Sequence, residues 1–228
     1  MLPLERTQPL ADAVYAALSE QILAGEPAAG EALPSERLLA EEFGVNRHAI
    51  REAMKRLQQA GLVRVSHGGA TRALDWRTSG GLDLLAQIGR AGALGPELVR
   101  SALEMRLCIG VDAARRCAEH APAVLVEELQ ALKAAEPDTD AEAADKYERL
   151  WALIVEGADN LAYRLALNSL IVEGGALDLR EQSLAEATDH GAQCDLVDSI
   201  AAGDSDAAGD AARDLLERTM QEGASWSS

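Results

Sequence analysis

Residues 33–71 read LPSERLLAEEFGVNRHAIREAMKRLQQAGLVRVSHGGAT, and the fold follows from how this stretch divides. Ser35 is placed to cap a short helix running to Phe43, because its hydroxyl can accept a first-turn amide, and Gly44 can take the positive φ of a tight exit. Asn46 is the next capping residue. The helix it opens carries Ile50, Met54 and Leu57 on one side and Arg47, Arg51 and Lys55 at i, i+4 and i+8 on the other. Gly61 ends that helix, and LVRVS and ATRAL then flank His67-Gly68-Gly69 as a short hairpin with a glycine tip. A helix, a tight turn, a second helix and a hairpin in uninterrupted order make a winged helix-turn-helix.

Such a unit suits duplex DNA. An exposed cationic helix of this length fits the major groove, with residues near its N-terminus reaching base edges and flanking cations meeting phosphates. A single basic helix would more often be a solvated charged face. Its combination with the Gly44 turn and the wing gives the DNA reading its weight.

Charge supports the same division. The 228 residues carry a net charge of −17, which by itself argues against nucleic acid. Between residues 35 and 72, however, seven Lys and Arg stand against four Asp and Glu, so the basic stretch coincides with the helix-turn-helix. The acidic remainder repels DNA and helps orient the protein on it.

Outside the motif, residues 1–9 read as a loose arm. Val14, Leu18 and Ile22 mark an amphipathic helix from Leu10 to Ala24 that Gly25-Glu26-Pro27 ends. Residues 75–81, DWRTSGG, read as a linker in which Thr78 or Ser79 caps the next helical segment and Trp76 packs between domains. Beyond it the pattern is helical: LDLLAQIGRAG, then segments near 96–119, 122–135, 140–157, 160–173, 180–202 and 205–222, broken at glycine and proline. The expected architecture is mainly α, a winged helix-turn-helix over 1–74, a linker over 75–81 and an all-α bundle of six or seven helices over 82–228. Cys108, Cys117 and Cys194 form no CxxC pattern and read as small apolar side chains in a reducing compartment. With no signal segment and no apolar run of membrane-spanning length, a cytoplasmic location is expected.

Leu33-Pro34-Ser35-Glu36-Arg37, Leu39-Ala40, Phe43-Gly44-Val45, Arg47, Arg51-Glu52-Ala53, Leu57 and Gly61-Leu62-Val63 resemble the DNA-binding domain of GntR-family bacterial transcription regulators. Further on, Arg106 in LEMRLCIGVDAARRCAE, Gly157-Ala158-Asp159-Asn160 before an apolar helix, and IAAGDSDAAGDAAR resemble the all-helical ligand domain of the FadR subfamily. The resemblance implies a homodimer on a palindromic double-stranded DNA operator, with affinity altered by a small-molecule effector in the helical domain. For DNA it implies Arg37, Asn46, Arg47, His48, Arg51 and Lys55, with His67, Gly68 and Gly69 of the wing near the minor groove.

Many domains of this subfamily hold a divalent metal with one Asp and three His. The register implied by the resemblance puts Tyr147, Trp151, Gln193 and Leu215 at those positions, a set that cannot supply the N/O ligands such an ion needs. No metal and no cofactor are expected. An anionic effector then requires a cation, and the resemblance assigns that part to Arg106, with Tyr147, Trp151 and Gln193 beside it and Arg213 on the last helix. The alternative for Arg106 is a structural salt bridge. A fatty acyl-CoA or another carboxylate metabolite is the implied effector, although Leu216 stands where the branch has a glycine and fills space a thioester needs.

An enzyme is not expected. His48 and His67 belong to the DNA-binding unit, His120 precedes a proline at a helix end, His190 has no partner nearby in sequence, and no Gly-rich stretch sits at a strand-to-helix junction. The rival reading is an adaptor whose helical domain binds a protein in place of a metabolite.

Overall fold

The computed structural model describes residues 8–66, 69–82, 84, 85, 88, 96–170 and 183–223. Two compact units divide the chain, 1–93 and 94–228. The fold is mainly helical, with one two-stranded antiparallel sheet among the described residues.

In the first unit α1 (Gln8–Ala24) and α2 (Glu36–Glu42) both pack on α3 (Arg47–Gln59). Val14, Leu18 and Ile22 of α1 are buried, as are Ile50, Ala53, Met54 and Leu57 of α3, so the two apolar stripes read in sequence face inward. Asn46 Oδ1 accepts from the Ala49 amide at 2.9 Å and Ser35 Oγ from the Leu38 amide at 3.4 Å, the capping each helix start needs. Gly44 sits at φ +65°, in the left-handed region that sterically favours glycine. Arg56 clamps α3 to α1. Its guanidinium pairs with Asp12 and lies over the Tyr15 ring, 4.4 Å from the centroid.

The wing consists of β1 (Val63–Arg64) and β2 (Arg72–Ala73), with Val63 opposite Ala73 and Arg64 opposite Arg72. An isolated bridge from Ala32 to Arg72 ties β2 back to the loop before α2. The expected linker begins with a helix instead. Asp75 caps α4 (Trp76–Ser79) by accepting from the Arg77 amide at 3.1 Å, and Thr78 and Ser79, expected to cap the segment that follows, lie inside this helix. Ser79 Oγ donates to the Gly61 carbonyl at 2.7 Å. Gly61, at φ +73°, is doubly constrained, since a Cβ there would collide with the Ser79 carbonyl oxygen.

The second unit is built on α5 (Pro96–His120), a helix of 25 residues. Around it stand α6 (Ala123–Lys133), α7 (Asp140–Gly157), α8 (Leu161–Leu170), α9 (Leu184–Thr188), α10 (His190–Ala201) and α11 (Ser205–Gly223). The last of these runs against α5 and also packs on α9 and α10. Small residues allow the close approach: a Cβ on Gly110 of α5 would come within 2.5 Å of the Leu216 Cδ1 of α11, and one on Gly157 within 2.6 Å of Cys117 Sγ.

The segment expected as one helix over 180–202 is two helices in its described part. Asp189 leaves helical geometry at φ −82°, ψ 79° and caps α10 by accepting from the Ala192 amide at 2.9 Å. Cys108 is exposed, Cys194 half-buried and Cys117 buried, so burial holds for one of the three cysteines. Residues 1–7, most of LDLLAQIGRAG, the end of the 160–173 segment, the start of 180–202, and His67 and Gly68 of the wing tip lie outside the described residues.

Candidate nucleic-acid interface and effector cluster

The first site is the outer surface of α3. Because Ile50, Ala53, Met54 and Leu57 face α1 and α2, helical periodicity turns Arg47, Arg51 and Lys55 to solvent in one row, and all three are exposed. Arg47 heads the helix beside exposed Asn46 and His48, and no carboxylate among the described residues engages it. The other cations are held loosely. Arg51 Nε pairs with Glu36 at 3.0 Å, Lys55 with Glu52 at 2.7 Å, and Arg37 of α2 with Glu41 at 2.7 Å. The Lys55 hydrogen bond and charge, helped by His48, hold the Glu52 carboxyl below its ordinary pKa. Exposed pairs of this kind contribute ~0–1 kcal/mol each, so a phosphate or a guanine edge can take any of the three cations from its carboxylate.

The wing supplies cations that motif reading passed over. Arg64 and Arg72 are register partners on adjacent strands and both are exposed, a like-charge pair that opposes pairing of the ribbon. Arg72 is steadied by donating to the Gly30 carbonyl at 2.8 Å. The signal was present in LVRVS and ATRAL, but the facing of the two residues depends on a register that only the hairpin fixes. Gly69, the described part of the tip, donates its amide to the Ser66 carbonyl at 3.1 Å.

The second site lies inside the helical unit. Arg106 of α5 is 5% exposed and Glu186 of α9 is 0% exposed, and they meet as a two-pronged pair, Nη1 to Oε1 at 3.0 Å and Nη2 to Oε2 at 2.6 Å. Arg106 Nη2 also donates to the Tyr147 hydroxyl at 2.9 Å. Tyr147 and Thr219 each donate to the same carboxylate, one to each oxygen. Gln193 of α10 donates to the Glu186 and Ala187 carbonyls at 2.9 and 2.8 Å, tying α10 to α9. Burial works against the Arg106 charge, but the Tyr147 oxygen and the Glu186 carboxylate outweigh it and hold its pKa above the ordinary value. Burial, with Glu186 adding to it, pushes the Tyr147 phenol up, so it stays a neutral donor.

Of the five residues named for the effector, Arg106, Tyr147 and Gln193 therefore converge on Glu186, which sequence reading did not single out. Trp151 stands next to them, its ring 6.3 Å from that of Tyr147 at 79°, and its buried indole N–H meets no hydrogen-bond acceptor in good geometry among the described residues. Arg213 is elsewhere: its guanidinium is part-exposed and pairs with Asp210 at 3.0 Å. Of the four positions in the metal register, Leu215 is a fully buried core residue. No group of three His, Cys, Asp or Glu side chains among the described residues is arranged to hold an ion.

The first unit, with its capped helices, exposed cation row and arginine-bearing wing, defines a DNA-binding protein of the winged helix-turn-helix class. A family model for "Bacterial regulatory proteins, gntR family" matches residues 10–72. The HTH-type transcriptional regulator Mce2R of Mycobacterium tuberculosis is 39% identical over 209 residues, which cover 90% of this chain and 87% of that one. The fatty acid metabolism regulator protein of Shewanella pealeana is 32% identical over 140 residues, 61% of this chain and 58% of that protein. Among solved structures, the Listeria monocytogenes regulator Lar, described as controlling expression of the agr system, superposes with a TM-score of 0.56 at 17% identity over 98% of this chain and 97% of Lar. That likeness shows the fold. The chain belongs to the GntR family of DNA-binding transcriptional regulators, with FadR-like relatives. No described helix is long and apolar enough to cross a membrane.

Proposed function

We propose that the protein is a homodimeric regulator that binds a palindromic operator and changes its DNA affinity when the helical unit takes up a small carboxylate metabolite, with fatty acyl-CoA the first class to test. The DNA half of this reading is carried by the row Arg47, Arg51 and Lys55 behind the Asn46 cap. A two-fold dimer would set two such rows about one helical turn of DNA apart, so the operator would be an inverted repeat. Arg37 and His48 would reach bases or adjacent phosphates. Arg64 and Arg72 would lie against phosphates or the minor groove, with His67, Gly68 and Gly69 at the approach.

The effector half is supported by the convergence of Arg106, Tyr147, Trp151 and Gln193, and by relatives named as fatty acid metabolism regulators. The Trp151 N–H, without an acceptor among the described residues and beside a polar cluster, is the kind of donor that a ligand or ordered water satisfies. Because Glu186 already occupies Arg106, a carboxylate effector would reach that cation only in exchange for Glu186. The same pairing favours the second reading, a helical unit that binds a protein, since the cation is already neutralised from within. Leu161 and Leu165, exposed and one turn apart on α8, offer such a partner an apolar contact.

A thermal-shift series with fatty acids and fatty acyl-CoAs separates the two. A ligand that binds only the folded state raises the melting temperature in a concentration-dependent way. Such a rise, with a change in Trp151 fluorescence, supports the sensor; no shift with any member leaves the protein-binding reading ahead.

A further inference from the structure

Of the cations in the outer row of α3, Arg51 is the one held by a different helix. Its Nε donates to Glu36 Oε2 at 3.0 Å, and Glu36 opens α2, 15 residues back in the chain. Ser35 Oγ accepts from the Leu38 amide and fixes the turn from which Glu36 projects. α2 in turn packs on α3 with Leu39 buried, so the carboxylate is carried on a backbone set by the core.

A guanidinium can meet the O6 and N7 acceptors of guanine in two ways, end-on through Nη1 and Nη2 or side-on through Nε and one Nη. Glu36 occupies Nε, which closes the side-on approach. The end stays open, since neither Nη of Arg51 has a hydrogen bond among the described residues. Arg51 can therefore engage a guanine without leaving its carboxylate. The neighbouring cations present no such end. Arg37 has given Nη1 to Glu41 at 2.7 Å, Lys55 has no planar fork, and Arg47 has no carboxylate among the described residues to set its rotamer. Glu36 is about half exposed beside the cation row, where its charge opposes phosphates. An acid that only favoured the start of α2 would carry the same electrostatic cost with no bearing on base choice, and that difference is measurable.

We propose that Glu36 positions Arg51 to read one guanine in each half-site: with Nε held by the carboxylate, the two Nη groups donate to O6 and N7. This role rests on the DNA-binding reading above and adds to it the base, the atoms and the residue behind the cation. Glu36 touches no base; it acts through Arg51, reducing the side-chain freedom that must be given up when the guanine is met. Its removal has two effects of different kind. Discrimination at the guanine falls, because Arg51 can then turn to other acceptors, phosphates included. Binding to unrelated duplexes holds or tightens, because one negative charge leaves the DNA-facing surface.

Full-length wild type, Arg51→Ala, Glu36→Ala and the double variant are titrated at one salt concentration against the operator selected from a random duplex pool, its single-base-pair variants and an unrelated duplex. The base pair whose preference disappears in Arg51→Ala is the one Arg51 reads. It should be G·C, preferred by wild type about 5- to 150-fold, the range of one bidentate contact. Glu36→Ala should lower that preference at least about threefold and leave the other positions as they are, with the double variant matching Arg51→Ala. Binding to the unrelated duplex should not weaken, which also reports that each variant is folded. A base pair other than G·C, an unchanged preference in Glu36→Ala, or a weakening spread evenly over all duplexes would each overturn the role of Glu36 while leaving operator binding in place. A wild type that selects no operator would instead overturn the DNA-binding reading, and this role with it.

Discussion

Replacing Arg106 by Met tests whether the buried cluster holds the helical unit together. The side chains are close in length, so little cavity is left, but Glu186 would remain fully buried with only Tyr147 and Thr219 as donors. Breaking a buried pair by removing one partner costs about 3–5 kcal/mol, because the charge left behind is uncompensated. At a urea dependence of ~2 kcal/mol per M, the midpoint should fall by roughly 1.5–2.5 M. The double variant Arg106→Met, Glu186→Leu removes both charges and leaves two hydroxyls to rebond, at about 1 kcal/mol each, so it should recover most of the loss. Urea unfolding of the four corners of this cycle, followed by tryptophan fluorescence, makes the measurement. A single-variant cost below about 1 kcal/mol, or strict additivity of the two substitutions, would refute the view that Glu186 and Arg106 act as one unit.

Particular contacts elsewhere carry three more expected outcomes. Asn46→Ala removes the acceptor of the Ala49 amide and should cost about 0.5–2 kcal/mol of stability in the first unit, measured by thermal unfolding, whereas Asn46→Asp should cost little. Cys117 has its thiol raised by burial from 9.0 to about 12, so the unfolded chain loses that proton first and stability should fall as pH rises above about 9; Cys117→Ala should flatten that alkaline decline in a pH series of melting curves. Gly157→Ala should destabilise by about 1–3 kcal/mol because its Cβ would come within 2.6 Å of Cys117 Sγ, and Gly157→Ala in the Cys117→Ala background should cost clearly less in the same unfolding assay.

The features legible in the sequence are mostly local. Ser35, Gly44, Asn46 and Gly61 act within three or four residues of themselves, and each takes the place its side chain or its lack of one predicts. The Asp75 cap is equally local, but it sits in a stretch whose composition reads as a linker. Asp189 is also a capping residue before His190, yet the apolar pattern on either side of it suggests one helix. Non-local partners are a different matter. Arg106 and Glu186 are 80 residues apart, and no spacing rule connects a cation on α5 with a carboxylate on α9; the salt bridge weighed for Arg106 has no named partner until the bundle closes. The facing of Arg64 and Arg72 requires a strand register, and the Glu36–Arg51 pair requires two helices to be brought side by side.

A regulator that reads DNA with the outer row of α3 should reveal its operator when duplexes are selected from a random pool with full-length protein and the enriched sequence is titrated. The selected sequence should be an inverted repeat with half-sites about one helical turn apart, and Arg47→Ala, Arg51→Ala should lose most of the specific affinity for it. Lys55→Ala should weaken all sequences alike and lower the salt slope by about 1. An enriched sequence without two-fold symmetry, or a double variant that binds it as tightly as wild type, would contradict that role for α3.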